Sequence, residues 1–193
     1  MIPRHLQIAF LLLLAGIFTV GGYMLHLKDR ERETIADSRP VAAPVTTPAE
    51  AVTLYVAYDD EGVLLKRSVM APLPSEPTAR AQEILRTLLA EYLDAHSPHP
   101  IGAGSDVREV FLVNNGLAVV DLNQAFADGH RSGVWEESLT IDSMVATLAA
   151  DMPEITQVKF LVNGQEHETL AGHADLMSVY RVADVDRLIA ALH

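Results

Sequence analysis

The chain has 193 residues, 49% of them hydrophobic and 6% aromatic, with a net charge of −12 and no cysteine. That length admits one globular domain plus an attachment, and the missing cysteine excludes a disulfide framework and a thiol nucleophile. The charge lies wholly in the later part: residues 51–193 hold nine basic residues against 21 acidic, which repels phosphate backbones and excludes nucleic acid as a partner.

Residues 1–5 are a short leading segment, and no Asp, Glu, Lys or Arg occurs between Arg4 and Lys28. The stretch HLQIAFLLLLAGIFTVGGYMLHL has no polar face, and a bilayer core is crossed by about 20 such residues in a helix, so residues 6–27 are expected to form a transmembrane signal anchor. Small residues at Thr19, Val20 and Gly21 offer a weak cleavage site, but the apolar run continues past them, which favours an uncleaved anchor. Lys28, Arg30 and Arg32 after the span outnumber Arg4 before it; taken alone, this count points the C-terminus towards the cytoplasm. Residues 28–51 are charged and then proline-rich, which makes a stiff linker.

The globular domain is expected over residues 52–193. VTLYVAY at 52–58, the acidic turn DDEG and GVLLKRSVM form a hairpin. Pro77 opens a helix whose apolar face comprises Ala81, Ile84, Leu85, Leu88, Leu89, Tyr92 and Leu93. VREVFLV and LAVVDLN flank Asn114-Asn115-Gly116, a hairpin signature. A second helix is expected over about 134–150, burying Ile141, Met144, Val145 and Leu148, with Pro153 stopping it. QVKFLV, Asn163-Gly164 and QEHETL read as another strand, turn and strand, and a final helix starts near Asp184. The order β-β-α-β-β-α-β-β-α predicts an α+β fold with an antiparallel or mixed sheet and two main helices packed on one face.

Candidate chemistry concentrates in NGQEHETLAGHADL at 163–176, where His167, His173 and Asp175 could serve a metal or an acid–base reaction, with His96 or His99 as further ligands. The spacing is not that of two imidazoles on one helical face. Gly102-Ala103-Gly104-Ser105 lacks the third glycine or the Lys-Ser/Thr of a phosphate loop and leads into a strand. Glu136 and Glu137 fall in the first turn of the second helix, where negative charge complements the helix dipole; Glu137 is therefore expected to be at least partly exposed. No cofactor and no catalytic set is read from the residues, and the acidic face could serve as a weak divalent-cation surface.

The second half of the chain resembles the GerMN domain of sporulation and germination proteins. The resemblance rests on VDL with Asp121, Glu137 before Leu-Thr, Thr147 in the second helix, FLVNG with Gly164, and TLAGHAD with Gly172, His173 and Asp175. Ala146 stands where the family commonly has Asn, and Met177, Ser178 and Val179 follow where it often has Pro. The resemblance implies a ring-building type of fold, and an extracytoplasmic domain on a membrane anchor. On that basis residues 28–193 are expected outside the cell membrane, as a non-enzymatic scaffold for an envelope protein or peptidoglycan. It also implies that Gly164 and Gly172 serve turns and that His173 and Asp175 bond local backbone. The alternative is a metal-dependent envelope hydrolase using His167, His173 and Asp175.

Overall fold

A hairpin opens the domain in the computed structural model, which describes residues 48–192. The apolar segment 6–27 and nearly all of the linker lie outside the described residues; among those described, no helix is long and apolar enough to cross a membrane. Strand β1 (Ala49–Tyr58) starts inside the stretch read as linker and pairs antiparallel with β2 (Val63–Pro72). Helix α1 (Pro77–Leu93) follows, its first amides capped by the Glu76 carboxylate, which accepts from Thr78 and Ala79 N–H. Its apolar face is buried as the periodicity predicts, except Leu93, which is exposed.

Strands β3 (Val107–Val113) and β4 (Leu117–Leu122) form the expected second hairpin. Asn115 and Gly116 both have positive φ, 70° and 77°, in the three-residue loop that joins Val113 to its partner Leu117, and Asn and Gly are the residues that adopt that conformation most readily. A Cβ on Gly116 would also lie 2.6 Å from the Glu154 carbonyl oxygen, so only glycine fits. After β4 come a short helix α2 (Gln124–Gly129), absent from the predicted order, and the long helix α3 (Val134–Asp151). Strand β5 (Gln157–Val162) then pairs parallel to β4, the connection that a helical crossover permits.

Two corrections concern the sheet. The strands form two sheets, β1-β2 and β3-β4-β5-β6, where one was expected. The segment QEHETL is no strand: it makes one isolated bridge, Val162 with Gln165, and a second joins Thr169 to Asp175. The antiparallel partner of β5 is instead β6 (Val179–Arg181), which leads into α4 (Val182–Ala191). The fold is α+β with mixed pairing, as predicted.

Helix α3 is the central element. Ile141, Met144, Val145 and Leu148 are fully buried on its core face. A second stripe, Ser143, Thr147 and Asp151, runs along the unpaired edge of β1. Thr147 Oγ1 accepts the Tyr55 N–H at 2.9 Å, Asp151 accepts the Thr53 N–H, and the Ser143 hydroxyl donates to the Tyr55 carbonyl. Tyr92 Oη, from α1, accepts the Ala57 N–H. Side chains thus replace the strand that β1 lacks on this side, meeting the demand that buried backbone groups be paired.

Candidate functional site

Glu137 overturns its expected exposure. It is fully buried in the first turn of α3. Oε1 accepts the Gly133 N–H and faces His173 Nδ1 at 2.9 Å; Oε2 accepts the N–H groups of Ala171, His173 and Ala174 at 3.0, 2.9 and 2.8 Å. A carboxylate at this depth survives only because several donors replace its water. Burial pushes its pKa up, but the Ala171 and Ala174 amides, with the His173 ring and amide, outweigh burial and hold it at about 2.

The loop can bring three amides to one oxygen because Gly172 has φ 123°, a conformation closed to L side chains. Leu170, Ala174 and Leu176 anchor it in the core.

The other pattern residues are staples of the same kind. Asp121, buried at the end of β4, accepts the Gly164 N–H at 2.6 Å and an N–H of Arg108 at 2.9 Å. Gly164 lies in the turn after β5, with φ 73°. Asp175 accepts from the Met177 N–H and the Ser178 hydroxyl, which is local bonding as expected. His173 bonds a side chain, Glu137, rather than local backbone.

The histidines do not assemble. His167 Nδ1 bonds the Thr169 carbonyl, His96 is exposed beside Asp94, and His99 is buried against Asp59 and Thr140. Among the described residues no group of three or more His, Asp or Glu side chains is placed to hold a metal ion. His99 belongs to a buried chain: its Nε2 lies 2.6 Å from Thr140 Oγ1, which also lies 2.7 Å from His130 Nε2. Burial pushes both imidazoles below their ordinary pKa, against the pull of Asp59 on His99 and of the Arg131 carbonyl on His130. The order Asp-His-Thr resembles a nucleophile relay, but the Thr140 hydroxyl is fully buried, out of reach of a substrate.

Beside the clamped loop lies a cavity of about 440 Å³ that sequence reasoning missed. Trp135, Ser138, Leu139 and Asp142 line it from α3, with His173, Ala174 and Asp175 from the loop, Tyr180 from β6 and Leu188 from α4. Its lip is apolar and open: Val134, Trp135 and Leu188 are exposed. The Asp142 carboxylate has no hydrogen-bond or ion-pair partner among the described residues, and burial alone pushes its pKa up to about 6. The signal was present in the sequence, since 135, 138, 139 and 142 follow the i, i+3, i+4, i+7 spacing of one helical stripe. Between Glu137 and Leu148 every residue of α3 is buried except Ser138 and Asp142, and both face this cavity.

The architecture defines a small α+β domain built on one central helix, with a carboxylate-held loop and an apolar cavity beside it. The chain belongs to the Germane family, described as "Sporulation and spore germination", whose model matches residues 53–168. No curated protein matches it. Among solved structures it is similar to a protein of Clostridium perfringens described as a lipoprotein, at 15% identity and TM-score 0.46, covering 77% of this chain and 97% of that one. It is also similar to the tandem GerMN domains of the Bacillus subtilis sporulation protein GerM, at 17% identity and TM-score 0.49, covering 67% of this chain and 45% of that one. The first GerMN domain of the same protein gives 19% identity and TM-score 0.48, with 67% of this chain and 94% of that one covered.

Proposed function

We propose that the chain is a membrane-anchored, non-enzymatic interaction module of the bacterial cell envelope, tethered by residues 6–27, with residues 28–193 extracytoplasmic. The family supports the sporulation and germination type, and the uncharged apolar run supports the tether. The observation that carries the docking role is the uncovered strip of α3: Trp135 and Val134 stand exposed beside a cavity on a helix otherwise buried along its middle. Exposed aromatic and aliphatic side chains around a pocket are the usual anchors of a protein interface.

Glu137 is no candidate for catalysis, because five donors already occupy its oxygens. Its role is to fix the loop that walls the cavity. The alternative hydrolase would need His167, His173 and Asp175 to converge, and each is bonded separately.

A photo-crosslinking amino acid at Ser138, in the full chain in its native membranes, tests the reading. Position 138 should yield a discrete crosslinked partner, and exposed Asp60 in the β1–β2 turn should not. Equal yields at both positions would remove the docking face. Protease added outside the cell membrane should cleave within residues 34–51; full protection there would reverse the topology.

A further inference from the structure

The cavity beside α3 is largely apolar, and of its two carboxylates Asp175 is bonded to the Met177 N–H and the Ser178 hydroxyl, whereas Asp142 has no partner among the described residues. Asp142 projects from the middle of the helix, next to Leu139 and Tyr180, and no lysine, arginine or amide N–H reaches it. Buried carboxylates elsewhere in this domain are all provided for: Glu137 by five donors, Asp121 by Arg108 and Gly164, Asp59 by His99 and Arg131. Leaving a charge half-buried without a partner costs stability, and an unpaired carboxylate in a concave site is a candidate ligand-binding group. Trp135 stands on the lip of the same cavity, about two helical turns from Asp142 on the same stripe, and its ring face attracts a cation that passes it.

We propose that this cavity receives the side chain of a lysine or arginine flanked by apolar residues on a partner protein, the cationic head pairing with Asp142 and the flanking residues covering Trp135 and Leu188. This rests on reading the face as a docking site and adds the chemistry of what docks. The excess of 21 acidic over nine basic residues in 51–193 favours approach of a basic segment. An acidic partner would place a second carboxylate beside Asp142 and Asp175. A purely apolar partner would seal the Asp142 charge from water without compensation.

Trp135 is the only tryptophan in the chain, so its fluorescence reports on the cavity mouth directly. The full chain in dodecyl maltoside is titrated with acetyl-Leu-Lys-Leu-amide, its norleucine analogue and its glutamate analogue. Norleucine keeps the apolar stem of lysine and removes the ammonium. The lysine peptide should shift Trp135 emission and bind at least about ten-fold more tightly than either analogue, the scale of a charge-assisted hydrogen bond. In Asp142→Asn the lysine preference should disappear while Trp135 still responds to the norleucine peptide. Three results would overturn the inference: norleucine binding as tightly as lysine in the unmodified chain, a preference that survives in Asp142→Asn, or no Trp135 response to any peptide. A lost lysine preference alongside crosslinking that persists at Ser138 would sink the ligand chemistry and leave the docking face standing.

Discussion

Glu137 and Asp142 sit five positions apart on α3, and their carboxylates are held in opposite electrostatic conditions. The first is fully buried with five donors and a pKa of about 2; the second has no partner and a pKa pushed to about 6. Burial acts on both in the same direction. Backbone amides turned inward by Gly172 rescue one, and nothing in the domain rescues the other.

That contrast gives a pH signature of known sign. The folded pKa of Asp142 is raised above its ordinary value of 3.8, so the folded state binds the extra proton, and stability falls as pH rises from about 4 to about 6. Asp142→Asn removes the effect. The variant should be more stable than the unmodified chain at pH 7, by about 1–3 kcal/mol, and should match it near pH 4. Thermal unfolding at the two pH values measures this, and equal midpoints at pH 7 would mean that the carboxylate is solvated or paired.

Thr147→Val keeps the shape of the side chain and removes the acceptor of the Tyr55 N–H. An amide left unpaired against the core costs about 1–3 kcal/mol, read as a lower midpoint in urea with unchanged slope. Thr147→Ser should recover most of the loss. If Val and Ser behave alike, the hydroxyl does not carry the contact to β1.

Leu148→Ala empties a fully buried site on the core face of α3. The loss should be about 2–5 kcal/mol, from burial and from the cavity left behind. Gly172→Ala has space for its Cβ, with only Ser132 Oγ as near as 3.5 Å, but φ 123° strains any L side chain. It should cost less globally than Leu148→Ala while loosening the loop at 171–174, visible as faster exchange of those amides.

Periodicity was enough to read the hairpins, α1 and the core face of α3, because those elements bury one side in a regular pattern. The β3–β4 turn was legible from Asn115 and Gly116 for the same local reason. Glu137 was misread because a helix-dipole explanation sufficed at its position, and its real partners lie 34 to 37 residues away. QEHETL reads as a strand because alternation shows local pattern only, and the place beside β5 is taken instead by β6 from further along the chain. The cavity was spelled out by Trp135, Ser138, Leu139 and Asp142, but its other walls come from the 171–175 loop, β6 and α4, which no local pattern joins to it. The family positions Asp121, Glu137 and Thr147 were found by resemblance, and the structure gives each a backbone group to hold.

The buried Glu137 carboxylate organises the loop that walls the cavity. The folded pKa of Glu137 lies below its ordinary value of 4.5, so its stabilisation is complete above about pH 4.5 and is lost as pH falls towards 2. The full difference corresponds to about 3 kcal/mol. The direct measurement is amide hydrogen exchange at pH 7 for Ala171, His173 and Ala174 in the unmodified chain and in Glu137→Gln. The account predicts slow exchange in the first and exchange about 100-fold faster in the second, with Val120 in β4 protected in both. Equal protection of the three loop amides in the two proteins would contradict it.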